Sequence, residues 1–203
     1  WEEPMMIYPA IHYTMGGIWV DYDLETTIPG LYAIGEANFS DHGGNRLGAS
    51  ALMQGLADGY FILPVTIGDY LSKKFAEPKT DINRPEFAEA EKAVQKRIDD
   101  LFAVKGTVPV DVLHKELGHI MWEYVGMARD AEGLKKAIKE IDELKERFYK
   151  TVRVPGTQFE FNQELEKALR LEDFFEIGKL MARDAYERNE SCGGHFRIES
   201  QTV

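Results

Sequence analysis

The sequence has a single cysteine, Cys192, among 203 residues. The chain by itself therefore builds neither a disulfide framework nor a multi-cysteine metal site, and this usage favours a reducing compartment. A long apolar run is also missing. The best candidate is interrupted by Asp58, Pro64 and Asp69, so it falls short of the roughly 18 residues that a membrane-crossing helix needs. No signal peptide is expected from the opening residues. Positive charge is scarce: 24 Lys and Arg against 35 Asp and Glu leave a formal net charge of -11. A field of that sign repels nucleic acid and anionic membrane surfaces alike, so nucleic acid is set aside as a partner. No long repeat recurs, which excludes a solenoid. What is present is enough for a packed core, with a hydrophobic content of 44%. The chain begins at Trp1 rather than a methionine, as a piece of something longer would.

Composition changes along the chain. Up to about Phe75 glycine and aromatic residues abound and lysine is rare, whereas from about Arg84 charged residues dominate at helical spacing. The polar stretch AEPKTDIN, with Pro78 inside it, reads as a linker. The expected organisation is residues 1–76, a linker at 77–83, and a helical domain at 84–203. In the first part, Gly17 to Asp21 and Gly30 to Ile34 read as short strands. Ala49 to Leu71 reads as a mostly buried helix that bends or breaks near Pro64.

Four helices are expected in the second part. Asn83 caps the first, with Phe87, Ala90, Val94, Ile98 and Leu101 as its apolar face. The second runs from about Val110 to Val125, burying Leu113, Leu117, Ile120, Met121 and Tyr124. Asp130 caps a third that carries Leu134, Ile138, Ile141, Leu144, Phe148 and Val152 and ends at Pro155. The fourth spans about Asn162 to Asn189, with Leu165, Leu169, Phe175, Leu180 and Met181 turned inward. Short connections between such helices favour an antiparallel bundle.

Chemistry concentrates between His12 and Leu52, in IHYTMGGI at residues 11–18 and GEANFSDHGGNRLGASAL at residues 35–52. The pairs Gly16–Gly17 and Gly43–Gly44 let backbone approach a ligand closely. His12, His42 and Arg46 are suited to a dicarboxylate, because guanidinium binds carboxylate through paired hydrogen bonds and imidazole adds a donor. Glu36 follows a strand end, where an acid accepts hydrogen bonds from cofactor hydroxyls, and Asn45 is a further polar anchor. Taken singly, each has a plain structural reading: a packed histidine, a turn glycine, a surface ion pair, a solvated acid. Their combination in one forty-residue stretch points to a site.

HYTMGGI, a GLYAIGE strand and HGGNRLG together resemble the flavoprotein subunit of succinate dehydrogenases and fumarate reductases, strongly over residues 9 to 72. The helical remainder, including RNESCGGHFR at residues 188–197, is similar to that family's C-terminal domain. The resemblance implies an α+β fragment: a small β-containing piece of a flavin-binding domain, then a bundle of long helices. It implies that His12 and Arg46 bind substrate carboxylates, that Glu36 contacts the adenosine side of FAD, and that Ala51 and Leu52 approach the flavin ring. It assigns no metal ligand and no catalytic acid or base to this chain. The implied reaction is hydride removal from succinate to flavin N5 with a proton lost to an arginine base, or the reverse on fumarate. Dinucleotide fingerprint, flavin-linking histidine and proton-shuttling arginine are absent from this sequence, so the isolated chain is expected to lack FAD and activity.

Two departures from the family stand out. Many members have Asn-Ser-Leu where this chain has Ser50-Ala51-Leu52, so a hydroxyl is lost at position 51 or moved to Ser50. Their Glu-Ser-Arg-Gly has become Glu190-Ser191-Cys192-Gly193. The implied partners are succinate or fumarate, an iron–sulfur subunit and a membrane cytochrome b subunit. The implied place is peripheral, on the cytoplasmic side of the inner membrane, with the fragment itself soluble. Alternatives are an L-aspartate oxidase-like flavoenzyme and a helical module that docks an iron–sulfur subunit.

Overall fold

Apolar residues at spacings of three and four govern most of the chain. The computed structural model, which describes residues 2–7, 16–39 and 47–201, is accordingly mostly helical, with one two-stranded parallel sheet among the described residues. Two units separate, Trp1–Lys79 and Thr80–Val203. The first holds the piece resembling a flavin-binding domain and the second the helical domain.

In the second unit, helix α3 (Pro85–Ala103) leads to strand β1 (Val108–Pro109) and helix α4 (Val110–Val125). Helix α5 (Ala131–Thr151), strand β2 (Val152–Arg153) and helix α6 (Gln163–Glu187) follow. β1 pairs with β2 in parallel, Val108 opposite Val152 and Pro109 opposite Arg153. Because β1 directly precedes α4 and β2 directly follows α5, the start of α4 lies beside the end of α5, and the two helices are antiparallel. Lys167 near the start of α6 reaches Asp111 near the start of α4 at 3.2 Å, so α6 runs alongside α4 in the same sense.

Side-chain oxygens cap two helices. Asp130 accepts the Gly133 N–H at the start of α5 at 2.8 Å, and Asn162 accepts the Leu165 N–H at the start of α6 at 3.0 Å. The core is the expected stripe. Leu113 and Leu117 of α4, Ile141, Leu144 and Phe148 of α5, and Ala168, Leu171 and Phe175 of α6 pack with Leu101 and Val152. Phe148 meets Phe175 edge-on at 5.6 Å between ring centres. A second cluster of Val125, Leu134, Ala137, Ala182 and Ala185 closes the other end.

Several expectations need correction. Arg84, not Asn83, is the N-cap of α3, and no side-chain cap bond forms there; Asp81 Oδ1 instead takes both the backbone N–H and the side-chain amide of Asn83. On α3 only Leu101 is buried, while Phe87 and Val94 stay exposed. The helix is held by its second half: Arg97 pairs with the buried Glu172 and donates to Asp173 at 3.0 Å and the Leu169 carbonyl at 2.9 Å. Beside this pair, burial and a hydrogen bond to Glu172 push the Tyr149 hydroxyl up to about 12. α5 stops at Thr151, before Pro155, because Val152 turns extended (φ -62°, ψ 139°) to pair with Val108. Leu180 is 62% exposed, since the buried face of α6 runs through Phe175, Gly178 and Ala182 and Leu180 sits two residues off it.

In the first unit, the two expected strands form only bridges: Ile18 with Asn38 in parallel and Glu25 with Tyr32 antiparallel. The sheet lies in the helical unit instead. A ladder needs a partner at every second residue, and each of these segments meets its neighbour at a single bridge. The expected helix exists as α1 (Ser50–Ala57), a π turn (Asp58–Ile62) and α2 (Leu63–Lys74). Pro64 lacks an N–H and its ring crowds the carbonyl four residues back. The chain answers with a widened turn, in which the Leu63 N–H donates to the Asp58 carbonyl. This run is not deeply buried, because among the described residues the unit's apolar cluster is small, Val20, Leu24 and Ala33 with Ile62 against it. Leu52, Met53 and Phe61 are each about two-thirds exposed or more.

Candidate functional site

His12 and Arg46, with His42 and Asn45, lie outside the described residues. Glu36, Ala51 and Leu52 lie within them. Glu36 sits in a single 3-10 turn, Gly35–Ala37, directly after the bridged segment ending at Ile34. Its side chain is exposed. The turn begins at Gly35 with φ 60°, a left-handed value that glycine adopts without strain. Gly17 lies beneath: a Cβ there would stand 2.6 Å from the Asn38 carbonyl oxygen and 2.7 Å from that of Ala37. Only glycine permits this approach, which the Ile18 N–H completes by donating to Ala37 at 3.0 Å and the Phe39 N–H by donating to Ile18 at 2.9 Å.

Under the turn is a polar network that sequence reasoning missed. Asp58 and Asn38 are 4% and 1% exposed. Asp58 Oδ2 accepts the Gly35 N–H and the Asn38 Nδ2–H, each at 3.0 Å. Gln54 on α1 donates to Asn38 Oδ1 at 3.1 Å. A signal existed in the sequence: a carboxylate inside an apolar helical stretch is costly unless it is hydrogen-bonded.

Ala51 and Leu52 occupy the first turn of α1, where helix geometry leaves backbone N–H groups without an intrahelical acceptor and the dipole is positive. Ala51 is buried and Leu52 is 67% exposed. The chain enters through Ala49 at φ 65°. The Ser50 hydroxyl donates to the Leu47 carbonyl at 2.7 Å, so the hydroxyl found at position 50 serves the turn rather than pointing to a ligand. An exposed carboxylate on a braced turn accepts from hydroxyls, and open N–H groups at a helix start donate to ring or phosphate acceptors. These residues fit FAD.

The RNESCGGHFR motif braces the helical unit. Buried Arg197 donates from Nη1 to the carbonyls of Ala185, Tyr186 and Arg188 at 3.0, 3.0 and 2.8 Å, closing the C-terminus of α6. Arg129 donates to the carbonyls of Val125 and Gly126 at the end of α4, and its Nη1 lies 2.8 Å from His195 Nδ1. Arginine only donates, so His195 accepts at Nδ1 and is neutral. Burial first, then the Arg188 and Arg129 charges, lower its pKa, against the raising effect of its bond to the Arg188 carbonyl. Glu199 accepts the Ala131 N–H at the start of α5 at 2.6 Å. Cys192 is exposed in a turn whose backbone pairs with His195. Among the described residues no group of His, Cys, Asp and Glu could hold a metal ion, and no helix is long and apolar enough to cross a membrane.

Comparison with known proteins covers both units. The family described as "Fumarate reductase flavoprotein C-term" matches residues 114–202, and "FAD binding domain" matches residues 2–52. The succinate dehydrogenase flavoprotein subunit of Bacillus subtilis is 37% identical over 194 residues, covering 96% of this chain and 33% of that one. The fumarate reductase flavoprotein subunit of Haemophilus influenzae is 35% identical over 98% of this chain and 32% of its own length. Among solved structures, Sdh1 of Mycobacterium smegmatis superposes with a TM-score of 0.80 at 31% identity, over 93% of this chain and 30% of that one. The chain thus spans about a third of the length of the curated relatives it matches.

Proposed function

We propose that this chain, a fragment belonging to the family of succinate dehydrogenase and fumarate reductase flavoprotein subunits, works as the C-terminal third of such a subunit, within a full-length protein that interconverts succinate and fumarate. The observation that carries this reading is the 37% identity extending over 96% of the chain, so that it includes the glycine- and histidine-rich first unit as well as the helices. Residues 1–76 complete a flavin-binding domain, 77–83 link it onward, and 84–203 form the helical domain.

In the full-length protein FAD supplies the redox step, accepting or giving a hydride. The residues of this chain bind and orient. His12 and Arg46 place cationic donors against the carboxylates, fixing the reacting carbons and stabilising developing negative charge. Glu36 would hold hydroxyls on the adenosine side, and the backbone N–H groups at Ala51 and Leu52 would donate to the flavin ring. An iron–sulfur subunit takes up the electrons and a membrane cytochrome b subunit anchors the complex, leaving this protein peripheral on the cytoplasmic face of the inner membrane. Alone, the 203-residue chain is inactive. The test is to offer succinate, fumarate and L-aspartate to the full-length protein. Turnover of the first two is expected; oxidation of aspartate with no turnover of either would overturn the reading in favour of an L-aspartate oxidase-like enzyme.

A further inference from the structure

We infer that Asp58 is a positioning residue for cofactor binding: its buried carboxylate locks the turn from which Glu36 reaches the hydroxyls of an adenosine diphosphate ligand. The inference rests on the flavin reading above and deepens it.

One oxygen, Asp58 Oδ2, grips the chain on both sides of Glu36, through the Gly35 N–H and the Asn38 side-chain amide at 3.0 Å each. The grip is long-range, spanning 23 and 20 residues, and it ties the helical run to the turn. Asn38 is held from its other end by Gln54, and Gly35 packs beside Gly55, a Cβ on Gly35 falling at ordinary contact distance, 3.6 Å, from the Gly55 Cα. The Glu36 side chain is exposed, outside the bonds that join Asp58, Asn38 and Gln54. A carboxylate on a free surface turn is a solvated acid. Held within a fraction of an ångström by a buried network, it becomes an acceptor with a fixed direction, which is what paired ribose hydroxyls require. The widened helical turn begins at Asp58 itself, and such turns recur where a side chain is re-aimed for function.

The probe is ADP-ribose, which carries the adenosine diphosphate end of FAD and forms no flavin bond, titrated calorimetrically into flavin-free full-length protein. Glu36→Ala weakens binding, and Asp58→Ala weakens it by about tenfold, the effect of releasing hydrogen bonds to a buried carboxylate. Asp58→Asn stays within about threefold of wild type, because one amide oxygen can accept both N–H groups. In a Glu36→Ala background Asp58→Ala adds little, since it acts through a side chain already gone. If Asp58→Ala proves unfolded by thermal melt, Asn38→Ala removes one of the two donors and shows the same dependence on Glu36 at smaller size. Asp58→Ala binding as wild type, or adding its full effect to that of Glu36→Ala, overturns this inference alone. Glu36→Ala binding as wild type overturns the cofactor reading on which it stands.

Discussion

Arg197 and Gly17 are two of the described residues whose chemistry is hard to exchange. Arg197 is 3% exposed and satisfies three carbonyls at the end of α6 while Glu199 balances its charge at 3.2 Å. Arg197→Ala strands those carbonyls and is expected to cost about 2–4 kcal/mol of stability. Arg197→Lys recovers only part, because an ammonium lacks the guanidinium fork. Urea denaturation followed by circular dichroism reads both. Gly17 is fixed by approach rather than by bonding. In Gly17→Ala the new Cβ overlaps two backbone oxygens at a φ of 151°, and no side chain can swing away to relieve it. A loss of about 1–3 kcal/mol is expected in the first unit, seen as faster hydrogen exchange at the Ile18 and Phe39 amides, with the α5 amides unchanged.

At the scale of elements, the caps and the C-terminal strap give two further expectations. Asn162→Ala removes the acceptor at the start of α6 and costs about 1 kcal/mol, measurable as a lower urea midpoint. The strap responds to pH through His195. Its pKa in the fold is lowered, so the neutral ring is the native form. Its contribution is complete above the ordinary value of about 6.5 and is lost as pH falls through that value toward the folded one. Protonation puts an Nδ1–H against the Arg129 guanidinium. The urea midpoint is therefore expected to fall between pH 7.5 and 5.5, and His195→Gln to flatten that fall; comparing the two proteins across this range is the check. Helices α4 to α6 were legible in the sequence because period and caps are local: Asp130 caps α5 as expected, and Asn162, expected only as the approximate start of the last helix, caps it as well. The bridged segments were not, since pairing depends on residues distant in sequence. Nor was the end of α5, because the extended turn at Val152 answers to Val108, 44 residues earlier.

At the scale of the whole molecule, the functional reading joins what geometry supplies to what sequence likeness supplies. Glu36, Ala51 and Leu52 were named from motif agreement, and their settings, an exposed acid on a braced turn and the first turn of a helix, suit the tasks proposed for them. Asp58, Asn38 and Gln54 could not be named that way, because a buried network is defined by which backbone it reaches and not by spacing. His12 and Arg46 rest on the motifs HYTMGGI and HGGNRLG, and on them rests the claim that this chain carries half of a dicarboxylate site. The most direct measurement is succinate and fumarate turnover by the full-length protein, wild type against His12→Ala and Arg46→Ala, with flavin content determined for each. Either substitution is expected to lower turnover at least about a hundredfold while flavin stays bound. Turnover that persists near the wild-type rate in both variants would contradict the claim.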